Sequence, residues 1–274
     1  MRVAFWNIQH GAFANGYDEY STDPDRLPLV RKGVIALGAD TVCLIDTYRW
    51  ADIFTPAQLC EYFGYQQAYS IDLESTRVDP KIGITVLTNE PTAQMEAIWL
   101  GTCFCVKITL EVLREKAAIY AVYWDDLSED IRLAQAKWTV KSIRAHPEVR
   151  RCCVGGDLNA LPPEVIGRGW RTIGSLMRMP SSLWAAEHVG GSMRYGVTAL
   201  GEIARSDVIP WLRSQGLTDL GRANTAPTAF PRVGHLRWHL PVDRIFTSNW
   251  SSCGYRVWPI TGSDHWPVTA DLEG

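Results

Sequence analysis

The chain has 274 residues, of which 46% are hydrophobic and 21% are charged; these are ordinary values for a soluble globular protein with a substantial core. Its formal net charge of -3 and its pI of about 6.1 exclude a protein that binds nucleic acid through bulk positive charge. The seven cysteines include no Cys-x-x-Cys pair, and no apolar run reaches membrane-spanning length. We therefore expect a cytoplasmic protein with reduced thiols and no membrane partner, and we make no prediction of its oligomeric state.

Several apolar, β-prone runs in the first half of the chain are predicted to be strands. Three of them deliver a polar side chain at or just after their ends: the runs 2–8, 40–45 and 117–122, with Asn7, Asp46 and Tyr123 respectively. Residues 82–87 and 104–110 are further strand candidates. Strands that each bring one polar group to an end are a common way to build an active site on a rigid sheet.

Two segments have the apolar spacing of amphipathic helices. The first covers residues 26–37, with Asp23 or Asp25 as a candidate N-cap. The second covers residues 127–145, with Ser128 as the candidate N-cap. The apolar residues of this second helix lie roughly along one side, namely Ile131, Ala134, Trp138 and Ile143.

Two short motifs follow strand-like runs in the second half. Gly155-Gly156-Asp157-Leu158-Asn159 comes after the run 151–154, and Gly262-Ser263-Asp264-His265-Trp266-Pro267 comes after the run 255–260. A further run, 240–246, carries Asp243. Carboxylate, amide and imidazole groups of this kind can hold a hard cation and act on a phosphate ester. An ordinary Asx turn is the alternative interpretation of Asp-x-Asn.

The segment 162–216 departs from the alternation of strand and helix runs. It is rich in glycine and contains two tryptophans, Trp170 and Trp184. We interpret it as an elaborated insertion over the site, which either selects the substrate or has a structural role alone.

Taken in order, these pieces resemble the endonuclease/exonuclease/phosphatase superfamily, whose fold is deoxyribonuclease-I-like. The matching pieces are Trp6-Asn7-Ile8, Leu44-Ile45-Asp46, Tyr123, residues 156–159, residues 242–246 and residues 263–268. The resemblance spans nearly the whole chain. It implies one catalytic domain over residues 1–274, of the α+β class, built as a four-layer α/β/β/α sandwich of two mostly antiparallel sheets flanked by helices. Residues 228–231 also resemble a family loop near the site.

The resemblance implies a catalytic role for five residues. His265 would activate the attacking water or protonate the phosphate, and Asp243 would orient His265. Asp157 would position the water or help to bind metal, whereas Asn159 and Tyr123 would donate hydrogen bonds to phosphate oxygens. The alternatives are a core or capping histidine, a surface ion pair of Asp243 with its neighbour Arg244, and simple packing for the tyrosine.

The resemblance also implies a site for Mg²⁺ or Mn²⁺, with Asn7, Asp46 and Asp264 as ligands or ligand supports. Two of the matched positions depart from the commonest family residue. Asp46 stands where the family usually has Glu, so its carboxylate has a shorter reach. Tyr123 stands where many members have His, although abasic-site endonucleases of the family have Tyr there. A turn or cap residue at a strand end is the alternative for each proposed ligand.

The function that the resemblance implies is hydrolysis of a phosphoester with a divalent metal, the substrate being a nucleic-acid phosphodiester or a similar ester. A phosphatase or phosphodiesterase acting on a small phosphorylated molecule is the alternative, because the family includes both. A different class of function, a non-catalytic binding module that has kept the fold, is a further alternative. Its only support is Asp46 in place of the usual Glu.

Overall fold

The structure is a computed structural model that describes residues 1–12, 26–73, 82–91, 93–99, 104–112, 115–166, 201–205, 207–229, 232–233, 236–237 and 239–274. Its strands, in chain order, are β1 (Arg2–Asn7), β2 (Thr41–Ile45), β3 (Gln67–Leu73), β4 (Ile82–Thr88), β5 (Gln94–Trp99), β6 (Phe104–Val112), β7 (Glu115–Tyr123), β8 (Val149–Asp157), β9 (Thr218–Asp219), β10 (Arg232–Val233), β11 (Leu236–Arg237), β12 (Asp243–Ser248), β13 (Ser252–Val257) and β14 (Val268–Glu273). Its helices are α1 (Leu27–Leu37), α2 (Trp50–Ile53), α3 (Pro56–Phe63), α4 (Glu129–Arg144) and α5 (Val208–Ser214).

The strands form two six-stranded sheets, with the spatial orders β13-β14-β1-β2-β4-β3 and β5-β6-β7-β8-β12-β9, and β10 and β11 form a separate ribbon. Each large sheet contains one parallel pair, β1 with β2 and β7 with β8, and its other pairs are antiparallel. This arrangement confirms the predicted pair of mostly antiparallel sheets. The parallel pairs are central to the site, because parallel neighbours end at the same edge of a sheet.

Three apolar clusters separate four layers. Side chains alternate along each strand, so one face of each sheet points inward and the other outward. The inner faces meet in one cluster, which includes Val3, Phe5, Cys43, Ile119 and Cys153. The outer face of the first sheet packs on α1 and α3, and the outer face of the second packs on α4 and α5. The α/β/β/α sandwich follows from this alternation.

Helix α4 confirms the predicted helix and its N-cap, because the Ser128 side chain accepts a hydrogen bond from the backbone of Ile131. The predicted apolar side is wrong. The buried residues include Arg132 and Gln135, whereas Trp138 is 47% exposed. Arg132 and Gln135 face inward, where both hydrogen-bond the backbone of Asp125.

Helix α1 also confirms its prediction and ends at Gly38, whose left-handed backbone (φ 54°) suits glycine. The candidate caps Asp23 and Asp25 lie outside the described residues. So do residues 167–200, which make up most of the proposed insertion at 162–216; α5 lies in its described part. No helix among the described ranges is long and apolar enough to span a bilayer.

Candidate active site

The ends of the two parallel strand pairs meet at one edge of the sandwich. Asn7 ends β1 in the first sheet, and Asp157 ends β8 in the second. The Nδ2 atom of Asn7 donates a hydrogen bond to Oδ2 of Asp157 at 3.0 Å, across the interface between the sheets. Both side chains are buried. Two residues that are 150 positions apart in sequence are thus brought together by the ends of their strands.

Asp243 reaches the same edge through sheet register. It begins β12 and lies opposite Asp157 in the antiparallel pair of β12 and β8. Its backbone N–H donates to Oγ1 of Thr228 at 2.9 Å. The segment that carries Thr228 continues into Ala229, which bridges both Leu240 and His265. Thr228 and Ala229, the described part of the segment that resembles a loop near the family's site, therefore contact Asp243 on one side and His265 on the other.

His265 is fixed at its backbone and at one ring nitrogen. Its carbonyl accepts a hydrogen bond from the indole of Trp6 at 2.9 Å. Its Nδ1 lies 2.8 Å from Oδ2 of Asp243, and its Nε2 lies 4.0 Å from Oδ2 of Asp157. Because Asp243 occupies Nδ1, Nε2 is the nitrogen that faces the site. This is the orienting arrangement predicted for the pair.

The charges around His265 favour its protonated form. Burial works against the imidazolium, but the Asp243 carboxylate, its hydrogen bond, and the charges of Asp157 and Asp264 together raise the His265 pKa to about 10. The surroundings of Asp157, in contrast, disfavour its charged form. Its burial and the neighbouring Asp243 raise the Asp157 pKa above the usual range, although His265 and two hydrogen bonds act the other way. Near neutral pH the imidazolium form of His265 is therefore favoured, beside an Asp157 carboxyl whose charged form is disfavoured.

Asn159 sits in a tight turn directly after β8. Its backbone N–H donates to Oδ1 of Asp157 at 2.9 Å, and its own side-chain amide donates to the carbonyl of Trp124 at 2.9 Å. The Asx turn considered from the sequence is therefore present. The same turn places Asn159 just beyond the end of β8 and next to the end of β7, so the turn is compatible with the proposed catalytic role.

Tyr123 and Asp46 come from the ends of β7 and β2, which contact each other across the sandwich. Burial of the Tyr123 hydroxyl, followed by the charges of Asp126, Asp46 and Asp157, raises its pKa well above the usual range. Tyr123 therefore stays protonated and can donate a hydrogen bond. Asp46 is buried, and its backbone is left-handed (φ 59°), a conformation that Asp adopts more readily than most residues other than Gly.

Asp264 and Asn7 share a neighbour that the sequence did not single out. The backbone of Gln9 donates to Oδ1 of Asn7 at 2.9 Å, and its side chain donates to Oδ2 of Asp264 at 3.2 Å. Arg26 in turn donates to Oε1 of Gln9 at 3.3 Å. Gln9 lies two residues beyond Asn7. This closeness to a predicted ligand is the sequence feature that could have identified Gln9 as part of the site.

The donor set fits a hard divalent cation. Oxygen ligands are supplied by carboxylates and one amide, which is the set that Mg²⁺ and Mn²⁺ prefer. Asp157, Asp243 and His265 offer ligand atoms within 4.8 Å of one another. The Oδ1 atom of Asp243 is buried and has no hydrogen-bond partner among the described residues. A buried carboxylate oxygen without a partner is costly unless a cation or donor satisfies it.

The sequence matches the model of the Endonuclease/Exonuclease/phosphatase family over residues 4–265. The chain belongs to this family. Members of the endonuclease/exonuclease/phosphatase family are phosphoester hydrolases. The matched range begins before Asn7 and ends at His265, so it contains every candidate residue found above. No curated protein sequence gives a significant match.

Solved structures show the same fold at low identity. Truncated TDP2 of Caenorhabditis elegans is 14% identical with a TM-score of 0.61, and the match covers 100% of this chain and 97% of that one. The mannosyl-6-phosphatase Bt3783 of Bacteroides thetaiotaomicron is 13% identical with a TM-score of 0.59 and full coverage of both chains. An endonuclease/exonuclease/phosphatase family protein of Leptotrichia buccalis is 13% identical, with a TM-score of 0.62 and 100% coverage of both. These likenesses establish the fold.

Proposed function

We propose that this chain hydrolyses phosphodiesters with a divalent cation, Mg²⁺ or Mn²⁺. The observation that carries the proposal is the contact of His265 with Asp243 and Asp157 at the edge where the strands of both sheets end. A binding module has no need for an oriented imidazole beside a buried carboxylate of raised pKa. The function rests on this constellation and on membership of a family of phosphoester hydrolases.

The chain's own residues would divide the proton chemistry between them. Asp157 has a pKa raised by burial and by Asp243, so it suits the group that orients the attacking water and accepts its proton. His265 keeps its proton near neutral pH, so its Nε2 would donate to a phosphoryl oxygen as negative charge develops. Asp243 holds the ring through Nδ1. Tyr123 and Asn159 would add further donors for phosphate oxygens.

The cation would be held by Asp46 and Asp264, with Asn7 as a ligand or as the support that orients Asp157. One lone pair of the Asn7 amide oxygen accepts the Gln9 N–H, and the second remains for an ion. When bound, the cation would supply charge stabilisation for the phosphoryl group and the leaving oxygen.

The charge of the site favours a diester over a monoester. Carboxylates dominate its surroundings, namely those of Asp46, Asp126, Asp157, Asp243 and Asp264. A phosphomonoester carries a charge of about -1.5 to -2 at neutral pH because its second pKa is about 6, whereas a diester carries a single charge. Repulsion by the carboxylates is therefore weaker for the diester, whereas the His265 imidazolium and the proposed cation attract both esters. A nucleic-acid phosphodiester is the substrate class that we place first, and a small phosphorylated molecule is second.

The test compares two aryl substrates. Purified protein is stripped with EDTA, returned to Mn²⁺ or Mg²⁺, and given bis(p-nitrophenyl) phosphate or p-nitrophenyl phosphate. We expect hydrolysis of the diester, its loss on chelation, and a drop of about 10² to 10⁴ in turnover for His265→Gln. Asp130→Asn is the matched control, because Asp130 is an exposed residue on α4 that pairs with Arg205.

Each other outcome points to a named alternative. Cleavage of the monoester alone would favour the small-molecule phosphatase. Hydrolysis that survives exhaustive chelation would contradict the metal requirement. Failure to cleave either ester, by a folded protein that binds Mn²⁺, would favour the binding module.

A further inference from the structure

The segment that follows β1 has an unusual backbone conformation at Gln9. Its φ is 51°, in the left-handed region, which is uncommon for a residue that is not glycine. The N–H of Gln9 donates to Oδ1 of Asn7 at 2.9 Å. The preceding N–H, of Ile8, donates to the carbonyl of Ile45 at 2.9 Å. Such a conformation costs free energy and persists where the surroundings over-determine it, and strain of this kind clusters at functional sites.

Arg26, directly before α1, joins this segment to the loop that carries Asp264. Its Nη2 donates to the carbonyls of Ile8 and Gln9, the latter at 3.3 Å. Its Nε donates to the carbonyl of Gly262 at 3.0 Å. One planar guanidinium therefore binds two segments from opposite ends of the chain. The fixed fork of donors makes this possible, and a lysine ammonium lacks it.

The Gln9 side chain lies between Arg26 and Asp264. Its Oε1 accepts from Nη1 of Arg26 at 3.3 Å, and its Nε2 donates to Oδ2 of Asp264 at 3.2 Å. A guanidinium only donates hydrogen bonds and an ionised carboxylate only accepts them, so the amide fits in one orientation. A glutamate at this position would repel Asp264, and a lysine would repel Arg26. A neutral amide, with an acceptor on one side and a donor on the other, therefore suits both neighbours.

We propose that Gln9, held by Arg26, is a positioning residue for the divalent cation, because it fixes the Asp264 carboxylate and the Asn7 amide oxygen in place before the ion binds. The inference rests on the proposed metal dependence. Gln9 acts on the two candidate ligands through different atoms, its backbone N–H on Asn7 and its side chain on Asp264. Mg²⁺ demands near-ideal octahedral geometry, so ligands that are arranged in advance favour its binding. Hydrogen-bond partners of metal ligands typically contribute about 10- to 100-fold in affinity.

Arg26→Gln distinguishes positioning from simple electrostatics. Arg26 is positively charged and lies one side chain away from Asp264, so its charge opposes the binding of a cation there. If charge alone mattered, the variant would bind Mn²⁺ more tightly than wild type. If Arg26 holds Gln9 and the loop at Gly262 in place, the variant binds Mn²⁺ more weakly. The two explanations predict changes of opposite sign.

Calorimetric titration with Mn²⁺ measures these affinities without reference to catalysis. Metal-free wild type, Arg26→Gln, Gln9→Gly and the control Arg144→Gln are titrated after thermal melting has verified that each is folded. We expect Arg26→Gln and Gln9→Gly each to raise the Kd for Mn²⁺ about 10- to 100-fold. Gln9→Gly should melt close to wild type, because glycine adopts a left-handed backbone without strain. Arg144→Gln should match wild type, because Arg144 is exposed in the last turn of α4.

The outcomes separate this inference from the proposed function. If the wild type binds no Mn²⁺, the inference and the proposed metal dependence fall together. If the wild type binds Mn²⁺ and folded Arg26→Gln binds it equally well or more tightly, the inference alone is overturned. An unchanged Kd for Gln9→Gly overturns the role of the Gln9 side chain. Failure of Gln9→Gly to fold also overturns it, because Gln9 would then serve the fold rather than the cation site.

Discussion

Asp243→Asn should lower the pKa of His265 while leaving the ring in place. Asn keeps the size of Asp and retains an oxygen that can accept from Nδ1, but it removes the negative charge 2.8 Å from the ring. In the wild type, burial lowers the His265 pKa and the Asp243 charge raises it. Without that charge, the effect of burial on the pKa is less fully offset. The variant therefore separates the charge of Asp243 from its shape.

The size of the shift follows from the interaction that is weakened. A hydrogen bond to a charged group contributes about 1.5–3 kcal/mol, which corresponds to roughly one to two pKa units. The lost charge attraction adds to this, whereas Asp157 and Asp264 remain and still favour the imidazolium. We expect the His265 pKa to fall from about 10 to below about 8.

An NMR titration of the imidazole resonances measures this shift. The chain has only six histidines, and His265→Gln assigns the signal by its absence. Turnover of the aryl diester should fall together with the pKa, because the imidazolium is the proposed donor to phosphate. A His265 pKa near 10 in folded Asp243→Asn would refute the claim that Asp243 sets the charge state of His265.

Three further predictions concern chemistry, pH and packing. Asp157→Asn should lower turnover by about 10² to 10⁴ in protein whose melting curve shows that it is folded, and a near-normal rate would remove Asp157 from the mechanism. The free energy of unfolding that His265 contributes should be fully present below its unfolded pKa of about 6.5 and lost as pH rises through its folded pKa of about 10. Urea unfolding of wild type and His265→Gln at several pH values measures that contribution, and a difference that grows with pH would contradict it. Gly155→Ala should destabilise the fold by about 1–3 kcal/mol, because the new Cβ would lie 2.4 Å from the Phe5 ring; a melting curve identical to wild type would show that the sheets can separate at no cost.

Much of the site was predictable because its residues follow strands. Asn7, Asp46, Tyr123 and Asp157 each come at the end of an apolar run, and two parallel pairs bring those ends to one edge. The pairing of His265 with Asp243 followed from the family resemblance and was not deducible from spacing. Its geometry depends on the register of β12 on β8 and on the bridge from Ala229, which are long-range features.

The rest of the site depends on contacts that local patterns do not encode. The sequence pattern places Arg132 and Gln135 on the polar side of α4. Both are nevertheless buried, because they hydrogen-bond the backbone of Asp125. The strands β3 and β5 were not predicted, and both lie at sheet edges, where polar residues weaken the hydrophobic signal. The role of the insertion at 162–216 stays a prediction.

The position of a bound cation tests the central claim most directly. Anomalous diffraction at the manganese edge, from crystals grown with Mn²⁺, locates the ion without reference to any substrate. The account predicts a peak at the edge where β1, β2, β7 and β8 end, within about 2.0–2.6 Å of at least one carboxylate oxygen of Asp46 or Asp264. A peak at another surface, or none at an Mn²⁺ concentration that supports diester hydrolysis, would contradict it.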